Sequence, residues 1–172
     1  MKTILLSIIV TLTLLGTQNV SAQETLSPNK FIDLVLKDDH SLAVRVPGWV
    51  VRTTGRIASI DLDGDEKRIV KELSKSIKKI RVLVNTKPPT EFKDNLAALY
   101  NYFGDKKYDE YVQVRSEGNN ISLWAQQKKE NIKNIVLVIH SDEDDSAIIN
   151  MKTNISLDKL KSMNFFQEMQ KI

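Results

Sequence analysis

The order of apolar and polar positions changes character once along this chain, from helical spacing to strict alternation. Ser27-Pro28 reads as a helix cap with proline in the first turn, and Phe31, Leu34 and Val35 carry one helix side to about Lys37. Leu42, Val44 and Val46 alternate with Ala43 and Arg45, which predicts a strand over 42–46 that Pro47 stops. Trp49 to Ser59 reads as a helix weakened by Gly48 and Gly55. After a turn at Asp61-Leu62-Asp63-Gly64-Asp65, with Asp65 as cap, Ile69, Leu73, Ile77 and Ile80 recur at three- and four-residue steps. That is an amphipathic helix with lysines outside, handing over to a buried strand at Ile80–Val84. Pro88-Pro89-Thr90 opens the clearest helix, lined by Phe92, Leu96, Leu99, Tyr100 and Phe103 and closed by Gly104.

Beyond Gly104 the period becomes two. Val112 and Val114 alternate with Tyr111, Gln113 and Arg115, and after a Gly118-Asn119-Asn120 turn Ile121, Leu123 and Ala125 alternate with Ser122, Trp124 and Gln126. A polar turn at 128–134 leads to Ile135, Leu137 and Ile139, an acidic turn follows, and Ile148 to Thr153 makes a further strand. Four strands joined by short polar turns predict an antiparallel meander. Ser156 then caps a last helix with Leu157, Leu160 and Met163 inward. The expected class is α+β, a mostly antiparallel sheet with a four-strand C-terminal meander and helices packed mainly on one face. No repeat or linker divides residues 23–172, so they read as a single domain.

Residues 1–22 have a different pattern. Lys2 precedes an apolar run from Ile4 to Leu15, which is short of the roughly 18–20 residues a membrane helix needs. Gly16 breaks the run, and Val20-Ser21-Ala22 offers the short side chains a signal peptidase accepts, so cleavage is expected after Ala22. The product is expected in the periplasm or outside the cell. The chain contains no cysteine, which excludes a lipid anchor at the cut, disulfides and thiolate ligands. The formal charge of +3 falls to +2 once Lys2 leaves with the leader. Such near balance gives no reason to expect nucleic acid as a partner.

Candidate chemistry is sparse. Asp61, Asp63, Asp65 and Glu72 stand at the first, third, fifth and twelfth places of a calcium loop, but the sixth place, which needs glycine, is Glu66. A solvated turn that caps a helix is the plainer account, and no metal or other cofactor is expected. Asp142-Glu143-Asp144-Asp145 reads as a solvated hairpin tip. His40 looks like a loop residue, and His140 ends an apolar strand on the side of Val136 and Val138, with no partner at a metal-binding or acid–base spacing. No nucleophile elbow and no phosphate-cradling glycine loop occurs. Lys67, Lys71 and Lys75 could meet an acidic or lipid surface, and Tyr111 and Trp124 fall opposite the row of Val112, Ile121 and Leu123, where an uncovered sheet face would suit a partner.

The stretch Tyr108-Asp109-Glu110-Tyr111-Val112-Gln113-Val114, then Ile135-Val136-Leu137-Val138, Ser141-Asp142-Glu143-Asp144-Asp145 and Met151-Lys152-Thr153-Asn154-Ile155-Ser156-Leu157, resembles a family of small exported bacterial cell-envelope domains of unknown function. The acidic segment and the capped start of the last helix are its hallmarks, with Asn154 where relatives often carry glycine. The resemblance covers the chain from residue 66 onward and implies an exported domain, with no catalytic residues to carry over. The expectation is a non-enzymatic binding or interaction domain in the cell envelope, whose partner is a protein or envelope component. A small-molecule or lipid carrier with a pocket between sheet and helices is the alternative, and a hydrolase of unfamiliar type the next.

Overall fold

A computed structural model describes residues 25–162 except 61, 63, 87–89, 117, 143 and 144. Residues 1–22, expected above to be a cleaved leader, and Met163 therefore lie outside the described residues. The elements run α1 (Pro28–Val35), β1 (Ser41–Pro47), α2 (Gly48–Ala58), α3 (Gly64–Ser76), β2 (Ile77–Asn85), α4 (Thr90–Asp105), β3 (Tyr108–Ser116), β4 (Asn119–Lys128), β5 (Asn131–Ser141), β6 (Ser146–Ser156) and α5 (Leu157–Ser162). The six strands form one antiparallel sheet in the order β1-β2-β6-β5-β4-β3, so the α+β class and the meander are as expected.

Local chemistry accounts for most boundaries. The Ser27 side chain accepts a hydrogen bond from the Lys30 N–H, and Pro28 occupies the first turn, so α1 starts where expected. Ser156 accepts from the Lys159 N–H in the same way at α5. Gly118 has φ +82°, the left-handed conformation that glycine takes without a side-chain clash, and it turns β3 into β4. Asn119 and Asn120, expected in that turn, already belong to β4. Likewise β5 begins at Asn131, inside the segment expected to be a turn, because the ladder continues through polar residues.

Two helix expectations change. α3 stops at Ser76, and Ile77 and Ile80 are strand residues, not part of the helical stripe. A β-branched run between two pairing strands gains ladder hydrogen bonds on both sides, which outweighs its helical spacing. α3 also starts at Gly64, so Asp65 lies inside the helix and does not cap it. Gly48 and Gly55 do not weaken α2 but dock it. A Cβ at Gly48 would stand 2.5 Å from the Lys78 carbonyl oxygen, and one at Gly55 would stand 2.4 Å from the Ser74 Cβ.

The helices are shared between the two sheet faces. α1 and α4 cover one face, where Phe31, Ile32, Val35, Phe92, Leu99 and Phe103 pack on Leu83, Val136, Val138 and Ile148. On the other face α2 lies over β1 and β2 and α3 over β2 and β6, because Val46 and Ile80 point there and need an apolar cover. Leu157 of α5 joins a smaller cluster on that side with Leu123, Ala125, Ile132, Ile135 and Ile155.

Candidate functional site

In a strand, every second side chain reaches the same face, and the register decides which of them stand side by side. One row crosses all six strands as Leu42, Val84, Ala147, Ile139, Ile121 and Val114. The next row is Val44, Val82, Ile149, Leu137, Leu123 and Val112. The first row is exposed toward both sheet edges and partly buried in the middle, at Val84, Ala147 and Ile139. Leu42 is 66 % exposed, Val114 47 % and Ile121 37 %, and Val44 in the second row is 49 % exposed. A contiguous apolar surface of this kind is rare on a soluble protein without a partner.

The surface ends in a cleft. α2 and α3 touch at Gly55 and Ser74, and between them and the sheet lies a hollow of about 390 Å³ lined by Val46, Val51, Ala58, Val70, Leu73 and Ile80. Val46 and Ile80 continue Val44 and Val82 along the same strands, so cleft and rows share one surface. Few ionisable groups border it. Hydrogen bonds from Lys159 and then Lys75 hold the Glu72 carboxyl below the usual carboxylate range, and the Lys159 pair ties α5 to α3. Burial pushes the Tyr111 hydroxyl up, with Asp109 adding to the shift. The arrangement offers apolar area and shape in place of a convergent set of acids and bases.

The residues singled out in the sequence are placed apart. Trp124 is on the covered face, under α4, with its ring centroid 5.0 Å from that of Phe103 and 5.8 Å from that of Tyr100. Tyr111 is on the opposite side, against the smaller cluster, because a β-bulge between Glu110 and Val112 turns it over. The two do not form one aromatic surface. Lys67, Lys71 and Lys75 are exposed on α3. Asp61 and Asp63 lie outside the described residues, as does the side chain of Asp65, and Glu72 is bonded to lysines. His40 is in a loop, its N–H bonded to Asp38. His140 stacks on Phe92 at 5.7 Å beside Ser146, and burial holds its pKa below the usual histidine value against the opposing pull of Asp142. The sequence shows Leu42, Val44, Val114 and Ile121 only as apolar positions that alternate along their strands. Their alternation was visible, but not that helices would leave them bare.

The family model described as a domain of unknown function (DUF4252) matches residues 31–163, a span that takes in all six strands and both sheet faces. The chain belongs to this family. No curated protein and no solved structure matches the chain. The DUF4252 domain thus includes the apolar rows, the cleft and the helices beside them, and no helix among its described residues is long and apolar enough to cross a membrane.

Proposed function

We propose that this DUF4252 domain is a non-enzymatic binding module, exported to the cell envelope, whose working surface is the uncovered apolar face. The observation that carries the reading is the exposure of Leu42, Val44, Val114 and Ile121 in rows that cross the whole sheet. The partner that suits this surface is an amphipathic helix of another protein. α2 and α3 already lie on the same face through their apolar sides, and an incoming helix would extend that layer. Export rests on the short apolar leader and the cleavage pattern at Ala22.

A photo-reactive amino acid at Ile121, with one at Lys107 as control, tests this in cells that make the protein. A discrete protein adduct at Ile121 and none at Lys107 is expected. No adduct at Ile121, or one that falls within the chain's own residues 163–172, would overturn it.

A second reading, a carrier of small apolar molecules or lipids, is favoured by the cleft, whose volume lies within the range of ligand sites, about 300–1,000 Å³. Native mass spectrometry of gently purified protein separates the two, because a carrier arrives with added mass and a protein-binding module without it.

A further inference from the structure

The opposite sheet face is covered by α1 and α4 only in part. Below α1 it becomes polar, in a hollow of about 330 Å³ lined by Asn29, Lys79, Arg81, Asn134, Asn150 and Lys152. Alternation assigns these strand positions to the side of Leu83, Val136 and Ile148, where a core would favour apolar residues. Arg81 is buried there and carries the cost of a charged group at such a position, while the others reach solvent to differing degrees.

The charges are arranged unfavourably for a purely structural role. Lys79 and Lys152 are direct cross-strand partners, and like charges in that position destabilise a sheet. Neither forms an ion pair among the described residues. Arg81, only 7 % exposed, is held by Asp33 and by the Asn29 carbonyl, which fixes its guanidinium at the wall of the hollow. Asp33 pairs with Arg81 and is drawn to Arg45 as well, and it forms no ion pair with either ammonium group. Asn150 donates to the Asn29 side chain and Asn134 to Gln126, so the carboxamides are oriented as well. β-Bulges interrupt the ladder beside Lys79 and beside Asn134, and bulges gather where a strand must re-aim a side chain at a site.

The geometry points to a second binding site here, for a phosphate-type oxyanion carried on a small polar body. The ammonium groups and the guanidinium supply charge-assisted hydrogen bonds to the oxyanion. The carboxamides serve hydroxyls on the body, and the hollow has room for more than a bare ion. A sugar phosphate and a phospholipid headgroup share this chemistry. Because the site is on the far side of the sheet from the apolar rows, it stands or falls independently of the function proposed above.

Titration calorimetry of the purified protein with inorganic phosphate, glucose 6-phosphate and glucose, and co-sedimentation with phosphatidylglycerol or phosphatidylcholine vesicles, tests the site. Millimolar or tighter binding of glucose 6-phosphate, with none of glucose, identifies a soluble ligand. Binding to phosphatidylglycerol vesicles alone identifies a headgroup. In either case Lys79→Ala and Lys152→Ala should each weaken binding roughly tenfold, the scale of one charged hydrogen bond. Lys107→Ala, on the turn before β3 and not among the residues that line the hollow, should leave it unchanged. Both lysines are partly or fully exposed, so their variants are expected to fold, which an unchanged thermal melt checks. No binding of any anionic probe, or equal weakening by Lys107→Ala, would overturn the inference.

Discussion

Strands β2, β4, β5 and β6 carry apolar side chains to both sides of the sheet, yet the two sides are finished differently. On one, α4 brings Phe92, Leu99 and Phe103 down onto Val136, Val138 and Ile148, and all six side chains are fully buried. On the other, Ile121 and Val114 occupy equivalent ladder positions and remain a third to a half exposed. Residue type does not distinguish them. The placement of the helices does, since α2, α3 and α5 gather over Val46, Ile80 and the Ile132–Ile135–Ile155 cluster and leave the row of Leu42, Ile121 and Val114 beyond their reach among the described residues. On the proposed reading the covered face carries the stability and the exposed rows the binding, so substitutions on the two should separate stability from function.

The largest effect is expected on the covered side. Phe103→Ala removes ring contacts with Trp124, Tyr108 and Tyr100 and should cost about 3–5 kcal/mol, read as a lower urea midpoint. Next is Gly55→Ala, which pushes α2 away from α3 and should cost about 1–3 kcal/mol by overpacking. The double variant Gly55→Ala/Ser74→Gly should recover most of that loss. Recovery would establish that Gly55 sets the width of the cleft. A neutral Gly55→Ala would show that the helices are not held there.

A smaller effect concerns pH. Burial against Phe92 lowers the His140 pKa, so between that value and 6.5 the unfolded chain holds more protons than the folded one. Stability should therefore rise as pH increases through this window and be lost as pH falls through it. His140→Gln should flatten the slope in chemical denaturation at pH 5.5 and 7.5. Smallest of all, Val44→Ser and Ile121→Ser on the bare side should shift stability by no more than about 0.5 kcal/mol, measured by thermal melting. A loss on the scale of Phe103→Ala would mean that the two sides are not different after all.

Much of this architecture was legible in the sequence. The meander could be read from Val112 to Thr153 because each strand has one apolar row whose period is unambiguous. The α4 stripe was equally plain. Where two patterns competed, spacing alone misled, as with Ile77 and Ile80, whose helical step concealed a β-branched strand edge. Neighbours in space were harder still. Trp124 and Tyr111 seemed to share a side because a bulge leaves no mark in the alternation. The basic hollow was hidden because Asn134 sits in a stretch polar enough to read as a turn. Lys79 and Lys152 become partners only once β2 pairs with β6. Which apolar row stays bare depends on how far each helix reaches, a property of packing that no single segment encodes.

The difference between the two sides can be measured directly because the chain has no cysteine of its own. Single variants Val44→Cys, Ile121→Cys and Val138→Cys, with Lys107→Cys as an exposed reference, can be labelled with a thiol reagent under native conditions. Val44→Cys and Ile121→Cys should react at rates near that of Lys107→Cys, while Val138→Cys stays protected until the protein unfolds. Protection of Ile121→Cys equal to that of Val138→Cys would mean that the sheet is closed on both sides, and the proposed binding surface would not exist.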